Sequence, residues 1–246
     1  MADRILKDIR FYESDYENID GQSMPHELGK LFQKTSDTNY IGQRIARKLN
    51  ELKFTYGEFD HIYINLTTFL KENEIVDSTR NIDKRIKYID FGFSSAAVNS
   101  LSDKGRNDFI KATTFKLLKH ISSNTNLELV NQVERLIAEF DTEIKILYKS
   151  KETTAYKIDI YYQIASLSGG TQAIIEYENK KDNICFRGVQ KLQFYDDIYS
   201  LVDTINLRND RITLKPKKSF TADIHNERYK TPIELKLNEL EKFNCH

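Results

Sequence analysis

The chain has 246 residues, of which 39% are hydrophobic and 30% are charged. This composition is typical of a soluble globular protein that is long enough to bury a sizeable core, as one large domain or two small ones. The 37 basic and 37 acidic side chains cancel, so no net charge draws the whole chain to nucleic acid or to a membrane. Any electrostatic preference for a partner must therefore be local.

The termini and the cysteines indicate the compartment. Residues 1–8 carry charges where an export signal needs an apolar run, and no stretch reaches the roughly 18 apolar residues of a membrane helix. Cys185 and Cys245 are too few for a disulfide scaffold and lack metal-ligand spacing. We therefore expect a cytoplasmic protein with two free thiols and no membrane partner.

The first 58 residues are predicted to be mainly helical. Ile5, Ile9 and Tyr12 recur at a spacing that favours a short helix, and residues 16–21 form a polar turn. A clearer apolar stripe, from Ile41 through Ile45, Leu49 and Leu52, predicts a helix over about residues 38–54. We therefore expect residues 1–58 to form a helical N-terminal extension.

The central part of the chain begins with two strands. Between Phe59 and Thr67, apolar Ile62, Ile64 and Leu66 alternate with other residues, which is typical of a half-buried strand. A second strand is predicted over residues 85–93, after a polar loop at 71–83. Two amphipathic helices follow, one starting at Ser102-Asp103 and one ending near residue 140, with a turn at residues 122–124. These helices are expected to form a hairpin.

From residue 143 the apolar period changes from helical to alternating. Short connections join four predicted strands between residues 144 and 195, which favours an antiparallel meander. A last hairpin is predicted around Asn209-Asp210. Thr231-Pro232-Ile233-Glu234 resembles a capped helix start and predicts a C-terminal helix. The expected fold class is α+β, a meander packed against a helical hairpin, with residues 59–246 as one continuous domain.

The common catalytic motifs are missing from the sequence. It contains no glycine-rich phosphate loop, no Gly-x-Ser-x-Gly elbow and no His-Glu-x-x-His pair. The five histidines have no metal-like spacing among themselves. We accordingly predict no cofactor, no metal and no enzymatic activity.

One pattern supports an alternative function. Asp159 lies in one predicted strand, and Glu178 with Lys180 ends the next, so two acids and a lysine could hold Mg²⁺ and position a water for phosphodiester cleavage. The spacing is similar to that of restriction-type nucleases. The competing interpretation is that these side chains belong to the solvated face of an amphipathic sheet.

Charge is distributed in blocks. The acidic block expected to recognise a basic protein partner consists of Glu58, Asp60, Glu72, Glu74 and Asp77. Residues 1–28 are also acidic. Basic blocks at Arg44, Arg47 and Lys48 and again between Arg208 and Lys218 are candidates for contact with phosphates. The alternative is that each block is an ordinary solvated surface without a binding role.

Several of these stretches together resemble bacterial immunity proteins of polymorphic toxin systems. They are Phe59-Asp60-His61-Ile62-Tyr63-Ile64-Asn65-Leu66-Thr67, Tyr88-Ile89-Asp90-Phe91-Gly92-Phe93, the helix through Phe109 and Leu118, the meander, and Arg211-Ile212-Thr213-Leu214-Lys215-Pro216. The resemblance covers about residues 59–216. It implies an α+β protein that binds and blocks a cognate protein toxin, with no catalytic residues.

The first hypothesis is therefore a cytoplasmic immunity protein that acts by stoichiometric binding, which needs a complementary surface instead of an active site. The alternatives are a metal-dependent nuclease that uses Asp159, Glu178 and Lys180, and a nucleic-acid-binding module that uses Arg44, Arg47 and Lys48. Nucleic acid is not an expected partner under the first hypothesis.

Overall fold

The computed structural model describes residues 3–19, 21–166 and 169–245. The chain divides into two compact units, residues 1–144 and residues 145–246. Helices and strands occur in both units, and the predicted α+β class is confirmed. The expected boundary after residue 58 is not where the units separate, because residues 8–14 pair with a strand beyond it.

The first unit contains a mixed sheet and four helices. Its elements are β1 (Asp8–Ser14), β2 (His26–Glu27), α1 (Thr38–Glu51), β3 (His61–Thr67), β4 (Ile75–Asp77), β5 (Ile86–Gly92), α2 (Ser95–Asn99), α3 (Asp103–Ile121) and α4 (Asn124–Phe140). The strand order is β2-β1-β3-β5-β4. The three central strands are parallel, and the short edge strands β2 and β4 are antiparallel to their neighbours.

Strand β1 corrects the prediction of a helix near Ile5, Ile9 and Tyr12. Ile9 and Phe11 are buried and alternate along the strand, and Ile9 pairs in register with Ile62 of β3. The alternation of Ile9 and Phe11 decides the structure, and not the helical spacing of Ile5, Ile9 and Tyr12, because β3 is available as a pairing partner. The supposed extension is thus part of the core of the first unit.

The three longer helices predicted in the first unit are confirmed. Helix α1 buries Ile41, Ile45 and Leu49 against the sheet, and α3 and α4 form the expected hairpin. The Ser102 side chain accepts a hydrogen bond from the Gly105 amide and caps α3. The hairpin buries its apolar stripe in the same cluster as the sheet, so one core serves all three helices.

The second unit contains two antiparallel sheets. Its elements are β6 (Ile146–Glu152), β7 (Tyr156–Tyr162), β8 (Gln172–Asn179), β9 (Ile184–Lys191), α5 (Ile198–Leu201), β10 (Thr204–Arg208), β11 (Arg211–Lys215), α6 (Phe220–Asn226), β12 (Ile233–Lys236) and β13 (Glu241–Phe243). The sheets have the orders β13-β9-β8-β7-β6 and β10-β11-β12. The predicted meander and the hairpin at Asn209-Asp210 are confirmed, and both turn residues have the positive φ that such a tight turn needs.

The predicted C-terminal helix is wrong. Ile233 and Leu235 pair with Leu214 and Ile212 of β11, and the chain continues as β13, which pairs with β9. Gly188 of β9 leaves room for this segment, since a Cβ there would lie 2.9 Å from Leu240 Cδ2. Strand pairing and burial thus outweigh the local capping pattern.

The predicted free thiols are also wrong, because Cys185 and Cys245 form a disulfide across 60 residues of sequence. It fastens the end of β13 to β9, where Phe243 pairs in register with Cys185. The spacing in sequence gave no sign of this pair, since the two cysteines meet only through the sheet.

Two lysines of β6 cover one edge of the smaller sheet. Lys149 and Lys151 donate hydrogen bonds from their ammonium groups to the backbone carbonyls of Asp203 and Ile205, beside and within β10. Tyr148 does the same to the carbonyl of Val202, at 3.0 Å. Side chains of β6 thereby supply hydrogen bonds to backbone carbonyls along edge strand β10 and just before it.

Candidate interaction surface

The two faces of the first sheet differ. Ile62, Ile64 and Leu66 of β3 point into the apolar core, so His61, Tyr63 and Asn65 point to the opposite face. We call that side the tyrosine face. Its centre is a ladder of rings from adjacent strands: Tyr63 lies 5.0 Å from Tyr12 and 5.5 Å from Tyr88, measured between centroids.

The tyrosines at the centre of this face are uncharged. Burial raises the pKa of Tyr63 to about 12, and burial likewise raises the pKa of Tyr88. Both phenols are therefore neutral at physiological pH. The Arg10 guanidinium lies over the Tyr63 ring at 5.7 Å and is held by Asp8. Because Tyr63 and Tyr88 are buried, at 8% and 2% exposure, these rings stabilise the sheet and leave little surface for a partner.

A buried polar network lies at the carboxyl end of these strands. Asn65 donates to Ser14 at 2.8 Å and to Asp90 at 2.6 Å, and Arg80 donates to the same Asp90 oxygen at 3.0 Å. The Arg80 side chain is fully buried and also donates to the Ser23 carbonyl at 3.0 Å. Arg80 thus ties a surface loop to the sheet.

That loop, residues 15–25 apart from Asp20, is fixed at several points. Asn18 donates to the Ser23 carbonyl at 3.0 Å, and the Thr79 hydroxyl donates to the Asn18 carbonyl. The Asn81 amide donates to the Gly21 carbonyl. Gly21 has φ +71°, and a Cβ there would lie 2.5 Å from the Thr79 oxygen, so no other residue fits without a shift.

The chain is also anchored on both sides of the loop. Just before it, the buried Glu13 carboxylate accepts hydrogen bonds from the amides of Lys30, Leu31 and Phe32 at 2.7–3.0 Å. Just after it, β2 pairs with β1. The loop is therefore ordered by the chain itself, without a partner.

The fixed loop presents apolar side chains to solvent. Ile19 is 83% exposed, and Tyr16 and Met24 are also exposed. Val76 and Ile82, which flank the segment that holds the loop, are exposed as well. We call these five residues the loop patch. The exposed acids Asp15, Glu17 and Glu27 lie in or next to the loop in sequence and form what we call its acidic rim.

The structure does not unite the five acids predicted to bind a partner. Asp60 is buried, with Lys7 at 2.9 Å and His61 at 2.6 Å from its two oxygens. Burial raises the pKa of Asp60, but the hydrogen bonds from Lys7 and His61 outweigh it and leave this pKa below its usual value. Of the two predicted acids at this end of β3, Glu58 is the exposed one.

The other three acids lie elsewhere. Glu72 and Glu74 follow the far end of β3, which spans about 20 Å at the usual rise per residue. Asp77 lies on edge strand β4 and pairs with Lys87 at 2.8 Å. Glu72, Glu74 and Asp77 are exposed and precede the segment that holds the loop patch, so they can extend its acidic rim.

Of the two basic blocks proposed to contact phosphates, the one between Arg208 and Lys218 is exposed, whereas the one on α1 is not. Arg44 is fully buried and donates to Asp37 at 2.7 Å, with Asp141 at 3.3 Å. Lys48 is largely covered and pairs with Glu51, and the Arg47 Nε atom is buried. This block stabilises the packing of α1, which corrects its interpretation as a surface.

The alternative nuclease residues are only partly brought together. Asp159 and Glu178 line one depression of about 270 Å³ on the second unit, with Glu176 between them. Asp159 is engaged by Ser150 at 2.6 Å and by Lys157 at 2.7 Å. Lys180 lies beyond the end of β8, where its ammonium group pairs with Glu152.

The depression carries both signs of charge. Glu176 accepts from Lys145 at 3.0 Å and from Arg187 at 2.9 Å, and the disulfide closes one side. Within residues 3–19, 21–166 and 169–245, no group of three or more His, Cys, Asp or Glu side chains is arranged to hold a metal ion. The acids here are mostly bound by the protein's own bases.

Sequence reasoning missed the loop patch. It interpreted residues 16–21 as a polar turn, and the exposed Ile19 and Met24 carry no periodic signal. The alternation of Ile9 and Phe11 was the available clue, because it places the loop at the carboxyl end of a strand, where α/β sheets carry their functional loops.

Comparison of the chain with models of protein families, with curated proteins and with solved structures found no match. No helix in the described part of the chain is both long and apolar enough to cross a bilayer.

Proposed function

We propose that the chain is an immunity protein that neutralises a cognate toxin by stoichiometric binding, and that the loop patch is its contact surface. The observation that supports this is the combination of a loop fixed by its own hydrogen bonds with apolar tips that are left in water. Ile19 is 83% exposed and shares the loop with exposed Tyr16 and Met24, and a group of exposed apolar side chains is typical of a protein-protein contact. A partner that covers the loop would bury all three.

Preorganisation supports an inhibitory role. Because Asn18, Gly21 and Arg80 already hold the loop, binding pays little to order it, and more of the contact energy appears as affinity. Tyr and Met are typical anchors at interfaces. The surrounding acids favour a partner with a basic surface and accelerate the encounter.

The acidic rim can be tested separately. Reversing the charge of Glu72, Glu74 and Asp77 is expected to slow association with the toxin, with the largest effect at low salt. The measurement is the association rate at two salt concentrations. Unchanged binding at low salt would remove these three residues from the proposed surface.

The proposed function itself requires a partner and a rescue. The immobilised chain captures proteins from an extract of its host, alongside a variant with Tyr16, Ile19 and Met24 replaced by Ser. A protein retained only by the wild type is then expressed in a test bacterium, alone and together with the chain. We expect growth arrest in the first case and restored growth in the second.

A matched control keeps this result interpretable. Phe220 is as exposed as Ile19, at 81% against 83%, but it belongs to the other unit. Phe220→Ser should still capture the partner and restore growth. A captured protein that is harmless when expressed, or one whose toxicity the chain does not relieve, would contradict the proposal.

The nuclease remains a second candidate on one observation, the shared depression at Asp159 and Glu178. Incubation with DNA or RNA and Mg²⁺ tests it. Cleavage that Asp159→Asn and Glu178→Gln both abolish, while the exposed-surface variant Glu58→Gln does not, would favour the enzyme. No cleavage by the wild type would leave the binding function as the only candidate of the two.

A further inference from the structure

A second exposed surface lies on the second unit, and it is basic where the surroundings of the loop patch are acidic. Between residues 215 and 230 there are five basic side chains and two acidic ones. The bases are Lys215, Lys217, Lys218, Arg228 and Lys230, and the acids are Asp223 and Glu227. Five bases and two acids give this segment a charge of +3, although Arg228 also lies 3.7 Å from the buried carboxylate of Asp197 and Asp196 is exposed two residues after Phe194.

The same segment exposes large apolar side chains. Phe220 and Ile224 are four residues apart on α6, so they lie on one side of the helix, and they are 81% and 48% exposed. Phe194 is also 48% exposed, and the guanidinium of Arg228, four residues after Ile224, lies 5.3 Å from its ring centroid. We call Phe194, Phe220, Ile224 and the five bases the α6 patch.

The α6 patch is held rigidly from below. Ser219 caps the helix by accepting from the Ala222 amide, and buried Asn226 donates to the Ser200 carbonyl at 3.2 Å. The Tyr229 hydroxyl donates to the buried carboxylate of Asp197. The exposed side chains are therefore displayed by a fixed scaffold and are not the consequence of a frayed end.

We propose that the α6 patch binds reversibly to the surface of a membrane that contains anionic lipids. Phe220 and Ile224 would enter the boundary between headgroups and acyl chains, while the lysines around them meet lipid phosphates and carboxylates. This combination of a few protruding apolar side chains and flanking bases is what interfacial binding needs, and no membrane-spanning helix is required. The proposal is independent of the toxin-binding function.

Two features favour a bilayer over other acidic partners. Four of the five bases are lysines, which are depleted at protein interfaces, and the apolar side chains protrude from a short helix, which suits a fluid boundary better than a shaped pocket. Single-stranded nucleic acid would stack on the phenylalanines, but Ile224 has no π-face to offer it. Ile224 therefore distinguishes the two.

The test is co-sedimentation of the full chain with vesicles of phosphatidylcholine alone or with about one third phosphatidylglycerol. We expect binding only to the anionic vesicles, weakened by salt. Phe220→Ser and Ile224→Ser should each weaken it by about tenfold or more, because each removes apolar area that the bilayer would bury. Lys217→Glu with Lys218→Glu should weaken it further at low salt.

Ile19→Ser is the matched control, since it removes an equally exposed apolar side chain from the loop patch; it should bind vesicles as the wild type does. Circular dichroism checks that each variant is folded. The proposal is overturned if the wild type ignores anionic vesicles, or if Ile224→Ser binds them normally. It is also overturned if single-stranded RNA competes fully and only the phenylalanine variants lose binding.

Discussion

Asp60 was predicted from its sequence neighbours to bind a partner at the surface. Its buried position gives it a role in the stability of the fold instead. Its carboxylate is enclosed, with Lys7 and His61 on its two oxygens. Because its pKa is lower in the folded chain than the usual 3.8, the ionised carboxylate stabilises the fold above that pH. This contribution is lost as the pH falls through the folded-state pKa.

Asp60→Asn should therefore lower the free energy of unfolding by about 1–3 kcal/mol at pH 7. The difference from the wild type should shrink as the pH falls below about 4, because the carboxyl group of the unfolded wild type is protonated first and that of the folded wild type only at lower pH. Urea unfolding at pH 7, 5 and 3 measures both effects. Glu58→Gln, two residues away but exposed, should leave the free energy of unfolding unchanged at each pH. A difference between Asp60→Asn and the wild type that stays constant across the pH range would contradict this account.

Arg44 gives the complementary case of a buried base. Arg44→Met removes the partner of Asp37 and leaves its largely buried carboxylate without its principal counter-ion. We expect a loss of about 3–5 kcal/mol in the free energy of unfolding, measured by urea titration. Lys34→Met, which replaces an exposed base in the same region, should change the free energy of unfolding little. An equally small effect of Arg44→Met would show that water reaches the Asp37 carboxylate more than the structure indicates.

At the scale of elements, α1 and β1 pack closely because of one glycine. A Cβ at Gly42 would lie 2.6 Å from the Ile9 carbonyl oxygen and 3.0 Å from the Phe11 ring. Alanine favours a helix over glycine by about 1 kcal/mol, yet Gly42→Ala should destabilise the first unit by about 1–3 kcal/mol because the helix must move off the strand.

The control for this prediction is Gly170→Ala, where a Cβ meets nothing within 4 Å. Thermal unfolding followed by helical circular dichroism should show a lower midpoint for Gly42→Ala alone. A midpoint at or above that of the wild type would mean that helix propensity outweighs the close contact.

The sequence predicted those elements whose period was unambiguous. Helices α1, α3 and α4 and the strands of the meander all carry long apolar patterns, and the structure confirms them. The errors fell where a partner distant in sequence decides the outcome. Strand β1 needs β3, and β12 needs β11, so local spacing alone favoured a helix in both places.

The candidate surface was less predictable than the fold. Residues 15–25 are ordered by Thr79, Arg80 and Asn81, contacts that no spacing rule reveals. Acids were grouped by proximity in sequence, but β3 separates Asp60 from Glu72 by the length of a strand. Surface patches depend on which segments meet, and that is a property of the tertiary fold.

At the scale of the whole molecule, the two units predict separable unfolding. Both cysteines of the chain lie in the second unit and are joined. Reduction should lower the stability of that unit by about 2–4 kcal/mol by freeing a 60-residue loop. The first unit should keep its midpoint.

Calorimetry with and without a phosphine reductant checks this, with circular dichroism at a helical wavelength to identify the first unit. The double variant Cys185→Ser/Cys245→Ser should reproduce the reduced protein and no longer respond to reductant. One transition that shifts as a whole would show that the two units unfold together.

The ammonium groups of Lys149 and Lys151 have a consequence for the behaviour of the protein at high concentration. They hydrogen-bond the carbonyls of Asp203 and Ile205 at edge strand β10, which could otherwise accept the amides of a strand from a second molecule. A variant in which Lys149 and Lys151 are both replaced by Ala would expose an edge strand to which further strands can add. Its signature would be seeded fibres that bind thioflavin, appearing in stored samples long before any loss of the native fold.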